Sequence, residues 1–294
     1  MNATAPGLRN STSQTAEFVT SPAVYSPVIH SVRLGMPELS RVGLSENWLI
    51  KACGHRHWLA LADIHGVEHP QFRNSEGARL YPAFTAVRLS DVRLEDVGEN
   101  QLLEMHLTLC RTSRTCFQSE IEVIVEQRKV ATVTMESAFI WRSVEGSNRS
   151  VRRGVVARPC QLLPPPPGQH PRKDVQRIAG PILRETILDP SPHEDLNGVG
   201  LLYCASFQAM LDRAEWQWFR QMDPLTATRS RTIQFLGNAE LGDRIRAALY
   251  MHRTDGDTLA HMIELTRVSD GAPIGRAITQ RALIPAMDLV RRLA

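Results

Sequence analysis

The chain has 294 residues, 43% hydrophobic and 22% charged, a length that suits two ordinary domains better than one. This composition excludes global disorder, and no long uninterrupted apolar run marks a membrane-spanning helix. The 34 basic and 31 acidic side chains leave a net charge of +3, too small a surplus for a nucleic-acid binder, so neither nucleic acid nor a membrane is expected as a partner.

Residues 1–27 lack hydrophobic periodicity and are rich in Ser, Thr, Asn and Ala, which predicts a flexible leader. It has neither the basic nor the apolar region of a secretory signal, so a cytoplasmic location is expected. A first folded unit is predicted over 28–145. Within it Leu44 to Gly54 reads as a helix with Ser45 near its start and Gly54 as its stop. A series follows: Val87-Arg88-Leu89, Val97-Gly98-Glu99, Met105 to Thr112, Ile121 to Val125 and Met135 to Trp141. Residues 146–174 read as a linker, with a basic stretch at Arg149, Arg152, Arg153 and Arg158 and then the run Pro164 to Pro167, which neither helix nor central strand accepts.

The second unit, 175–294, repeats the pattern. Leu201 to Trp218 reads as a nearly continuous apolar, buried helix. After it come Ile233-Gln234-Phe235, Leu241-Gly242-Asp243, Ala247 to Thr254, Ala260 to Leu265 and Ile274 to Thr279, with Asp255-Gly256-Asp257 as a tight hairpin turn. The expected class is therefore α+β, two long central helices each wrapped by an antiparallel sheet. No G-x-G-x-x-G, Walker A or G-x-S-x-G motif is present, which removes the support for nucleotide-binding and α/β-hydrolase folds.

The five cysteines, Cys53, Cys110, Cys116, Cys160 and Cys204, are odd in number and form no C-x-x-C pair, so neither disulfides nor structural zinc is expected. Cys204 reads as a small buried hydrophobe. Cys53-Gly54-His55-Arg56-His57 offers only a weak H-x-H pattern, and no metal is expected.

Chemistry concentrates in Asp195-Leu196-Asn197-Gly198-Val199-Gly200-Leu201-Leu202-Tyr203. Backbone N–H groups at a helix start stabilise a thioester oxygen as negative charge grows on it, and Gly198, Val199 and Gly200 are expected there. The same residues would equally serve as a turn and cap. Asn197, able to donate and accept, suits a substrate carboxylate or thioester oxygen. Asp195 reads either as a general base or as an Asx turn.

This segment resembles the approach to the central helix of hot-dog-fold thioesterases, where an Asp-x-x-Gly turn precedes an aromatic-containing helix; Leu236 to Asp243 likewise resembles a turn of that fold. More specifically, Asn197 to Tyr203 with Ala205-Ser206 is similar to double-hot-dog acyltransferase/decarboxylases of the leinamycin-biosynthesis type and their relatives in polyketide and nonribosomal peptide pathways. The resemblance covers about His30 to the carboxyl terminus and is looser in the first half. It implies a tandem hot-dog fold and an enzyme that takes an acyl group from coenzyme A, acylates itself and passes the group to an acyl carrier protein, with decarboxylation of a methylmalonyl group. Asn197 and Asp195 would then be catalytic, with Gly198, Val199, Gly200 and Tyr203 binding substrate. No tightly bound cofactor is implied; acyl-CoA and the carrier's phosphopantetheine are substrates. The basic Arg149 to Arg158 stretch could meet the acidic face of a carrier, and a homodimer is left open. One departure stands out. The family's acylated tyrosine aligns with Phe84-Thr85-Ala86-Val87, which contains none, and Tyr81 corresponds to another position. A thioesterase or dehydratase with Asp195 as base, or a non-catalytic carrier-binding relative, are the alternatives.

Overall fold

The computed structural model describes residues 24–162, 180–221 and 226–284. Nearly all of the expected leader and the run Pro164 to Pro167 lie outside the described residues.

The first half comprises β1 (Val24–Arg33), α1 (Glu46–Ile64), β2 (Arg79–Ser90), β3 (Leu102–Arg111), β4 (Cys116–Val125), β5 (Arg128–Arg142) and the short β6 (Val151–Arg153). The second comprises β7 (Arg184–Leu188), α2 (Cys204–Trp218), β8 (Thr226–Phe235), β9 (Ile245–Asp255), β10 (Thr258–Arg267) and β11 (Pro273–Leu283). One continuous antiparallel path runs β1-β3-β4-β5-β2-β8-β11-β10-β9-β7. Read inward from either edge the order is the same, β1-β3-β4-β5-β2 on one side and β7-β9-β10-β11-β8 on the other. The halves meet at β2 and β8, with Leu89 opposite Arg231 and Val87 opposite Ile233.

Strict alternation explains the strands. In β3, Leu103, Met105, Leu107 and Leu109 are buried and their neighbours are not, the pattern of a sheet with one face on a core. That core includes Leu49, Ile50, Cys53 and Leu61 of α1. In the second half Phe207, Met210 and Leu211 of α2 pack on Ile233, Leu249, Ile263 and Leu265.

Four expectations are corrected. Helix α1 does not stop at Gly54 but runs ten residues further, to Ile64. Gly54 is there for space: a Cβ on it would stand 3.3 Å from the Phe84 ring and 3.7 Å from Met135 Cε. Helix α2 begins at Cys204, not Leu201; Tyr203 is its N-cap, while Leu202 forms a bridge with Leu196. Nor is α2 apolar on most faces. Its Gln208 accepts from Asn47 Nδ2 at 2.9 Å, and its Glu215 is fully buried against Arg231 of β8 at 3.1 Å, His261 at 2.9 Å and Arg281 at 2.9 Å, charges that compensate one another inside the interface. Finally, Val97 to Glu99 and Leu241 to Asp243 are turn and loop segments rather than strands.

Much of the proline-rich segment's approach is packed on the first half. β6 pairs with β5, Gly154 N donates to Phe139 O at 2.9 Å, and Gln161 N donates to Ile64 O at 2.9 Å.

Candidate functional site

The segment before α2 is a turn that closes on itself. Asp195 Oδ2 accepts from Ser191 N at 2.8 Å, and its carbonyl accepts from Tyr203 N at 2.9 Å. Only 2% of Asp195 is exposed. Arg213 lies 3.7 Å from it, and it stands outside the wall of the cavity described below. The side chain ties back to the backbone four residues before it rather than two residues on, so the Asx turn expected at Asp195 is made instead by Asn197.

Asn197 Oδ1 accepts from Val199 N at 3.1 Å and from Leu201 N at 3.0 Å, while Gly200 N donates to Asn197 O at 2.8 Å. Gly200 sits at φ 73°, a left-handed position that suits glycine. The amides of Val199 and Gly200 are thus spent inside the turn, and Gly198 is exposed. All three precede the helix by several residues and none lines the cavity described below, so the oxyanion site expected of them is not at the helix start. What the turn leaves available is Asn197 Nδ2, for which no hydrogen bond is formed among the described residues.

Asn197 lines a cavity of about 420 Å³ between the halves. From the second half come Asn197, Tyr203, Cys204 and Phe207; from the first come Tyr81, Phe84 and Thr85 of β2 and Ile140 of β5. The stretch expected to face the reacting group, Phe84 and Thr85, therefore does line the same cavity as Asn197 and Tyr203. Burial raises the Tyr203 phenol and pushes the Cys204 thiol up to about 12, so both stay protonated at neutral pH. Among the described residues lining the cavity there is no Asp, Glu or His. Its two cations are already matched: Arg149 donates to Asp243 at 2.9 and 3.0 Å, and Arg267 pairs with Asp270 at 2.7 Å.

The residue that ties the site together is Asn148, which sequence reasoning placed in a linker. Its Nδ2 donates to Gly200 O at 2.7 Å and to Ala239 O at 2.6 Å, and its Oδ1 accepts from Arg142 Nε at 3.0 Å and Nη2 at 2.6 Å. Arg142 Nη2 also reaches Val199 O at 2.6 Å. Asn238 supports the opposite wall by accepting from Leu202 N at 2.9 Å. The sequence signal at Asn148 was its place in Gly146-Ser147-Asn148, at the head of the 146–174 linker.

His57 is buried behind this wall, 5.3 Å ring to ring from Phe84, between Ser119 Oγ at 2.8 Å and Ser137 Oγ at 2.7 Å. Burial lowers its pKa to about 3, so it is neutral. His55 is exposed on the other side of α1, and among the described residues no His, Cys, Asp and Glu side chains group to hold a metal ion.

No protein-family model and no curated protein matches the sequence. Solved structures do match the fold. A protein assigned as an oleoyl thioesterase from Lactobacillus plantarum aligns over 88% of this chain and 96% of its own, with TM-score 0.66 and 12% identity. The 12:0-ACP thioesterase from Umbellularia californica aligns over 89% and 98%, with TM-score 0.64 and 10% identity. A MaoC-like dehydratase from Phytophthora capsici aligns over 88% and 96%, with TM-score 0.51 and 10% identity. The fold is the hot-dog fold. At such low identities these likenesses speak for the architecture alone. No helix among the described residues is long and apolar enough to cross a membrane.

Proposed function

We propose that the chain is a tandem hot-dog enzyme acting on acyl thioesters, its units near 28–145 and 175–294 joined through 146–174, and that it transfers an acyl group from coenzyme A to a carrier protein at the cavity between the halves. The observation that supports this is that Asn197, whose Nδ2 forms no hydrogen bond among the described residues, lines one cavity with Phe84 and Thr85, and that the described lining of this cavity holds no carboxylate or imidazole. Asn197 Nδ2 donates to the thioester carbonyl oxygen and stabilises the charge it gains on attack. An incoming phosphopantetheine thiolate attacks the carbonyl, and the departing coenzyme A sulfur takes up the proton released by the incoming thiol, so thiol exchange needs no resident base. Loss of CO₂ from an α-carboxyacyl (malonyl-type) thioester would leave an enolate on the same oxygen and call on the same donor. Hydrolysis and dehydration instead need a base for water or for the substrate's α-proton; Asp195, tied to Ser191 N and outside the cavity wall, is poorly placed for it. With no tyrosine in Phe84 to Val87 and the Tyr203 phenol held protonated, transfer proceeds without an acyl-enzyme.

Incubation with acyl-CoA and a phosphopantetheinylated carrier protein, read by intact mass spectrometry, tests this reading. The expected product is acylated carrier, with no stable acyl group on the protein. Free acid would support a hydrolase, and no change in either partner a carrier-binding relative. Asn197→Asp keeps the Oδ1 acceptor of the turn but loses the Nδ2 donor. Turnover should fall by the roughly 10² to 10³ of a lost oxyanion donor, with folding preserved; full activity would remove Asn197 from the site.

A further inference from the structure

Resting on that reading, we propose that Arg73, Arg79 and Arg153 form a phosphate-binding rim that holds the phosphorylated end of a pantetheine arm whose thioester lies at Asn197. Strand register puts the three on one face. Arg73 of the short strand Phe72–Arg73 stands directly opposite Arg79 of β2. Two residues on, Tyr81 is opposite Ile140, which is in turn opposite Arg153 of β6. Tyr81 and Ile140 both line the cavity, directly opposed residues share a face, and so do positions two apart in a strand. The Arg79 guanidinium lies 5.1 Å over the ring of Tyr81, a residue that lines the cavity.

All three arginines are exposed, and none forms an ion pair among the described residues. Arg73 donates to Gly77 O and Arg153 to Cys116 Sγ, neither of which carries a full negative charge. Like charges directly opposed across a ladder are destabilising, so the Arg73–Arg79 pair is a cost that a bound anion would offset. Guanidinium groups are suited to phosphate, which they can engage bidentately. The spacing also fits. Arg79 is six residues from Thr85, which lines the cavity and shares the parity of Arg79 and Tyr81, about 20 Å along an extended strand, comparable to an extended pantetheine arm between its sulfur and its phosphate. Tyr81 and Ile140 would flank that arm on the way in.

The test uses the full chain and three probes that do not react: coenzyme A, 4′-phosphopantetheine and pantetheine. Calorimetric Kd values are compared for wild type, Arg79→Gln, Arg153→Gln and the double variant. Wild type should bind the phosphorylated probes more tightly than pantetheine, and this preference should weaken as salt rises. Each substitution should weaken the phosphorylated probes about tenfold or more, leaving pantetheine unchanged. Equal losses for coenzyme A and 4′-phosphopantetheine would assign the rim to the phosphate that a carrier and coenzyme A share; a loss for coenzyme A alone would assign it to the nucleotide's phosphates. Variants that bind all three probes as wild type does, or lose pantetheine as well, would overturn the rim while leaving the cavity reading intact. A wild type that binds none of the probes would overturn both.

Discussion

Asn148→Ala offers a stringent check on how the site is held. Asn148 is 5% exposed and makes four hydrogen bonds, two to Arg142 and one each to the carbonyls of Gly200 and Ala239. Alanine abolishes all four and leaves the carbonyls of buried Ala239 and of Gly200 without this donor. Arg142 retains Val199 O, so part of its bonding survives. At about 1 kcal/mol net per neutral bond, and more where a buried group is orphaned or a charge is involved, the loss should be about 2–4 kcal/mol. Urea unfolding with an unchanged m-value would measure it. Because the bonds tie the Asn197–Tyr203 turn and the Ala239 loop to the first half, KM for the acyl donor should also rise at temperatures where the variant is folded. Asn148→Asp separates the parts. It keeps an acceptor for Arg142 but sets a carboxylate against two carbonyl oxygens, so its turn should be disturbed at least as much as in the alanine variant. A stability loss below about 0.5 kcal/mol with unaltered kinetics in both would refute the clamp.

Two further outcomes follow from the core behind the cavity. Gly54→Ala should not deliver the roughly 1 kcal/mol gain usual for this change within a helix; with the new Cβ 3.3 Å from Phe84, overpacking costing about 1–3 kcal/mol should give a net loss in thermal unfolding and lower activity through the displaced Phe84. His57 has a folded pKa depressed to about 3 against about 6.5 unfolded. Its contribution is fully present above pH 6.5 and is lost as pH falls, since the unfolded chain then takes up a proton that the fold excludes. The slope should reach about 1.4 kcal/mol per pH unit below that point, and urea titrations of His57→Gln should flatten by that amount; an unchanged slope would show that His57 is not the group responsible.

The strands were legible in the sequence because alternation along β3, β4 and β10 is a local signal: one face must be apolar wherever a sheet covers a core. The repeat of the series on both sides of the proline run was legible for the same reason, as was the turn at Asp255 to Asp257. Gly54 misled because a glycine that ends a helix and a glycine that admits a phenyl ring look alike in one dimension; only the approach of Phe84 tells them apart. The start of α2 was misplaced because Leu201 and Leu202 are as apolar as the helix that follows, and what stops the helix short of them is Asn197 holding the backbone of Leu201 and Asn238 that of Leu202, hydrogen bonds that pattern does not encode. The sequence by itself determined that Asn197 and Tyr203 lie beside each other near a buried helix. That they face Phe84 and Thr85 was decided by tertiary structure, since the cavity exists only where β2 meets β8 and brings together groups more than a hundred residues apart. So was the role of Asn148, whose partners Gly200 and Ala239 lie 52 and 91 residues away; its significance is long-range hydrogen bonding, and no local window of sequence contains both ends of such a bond.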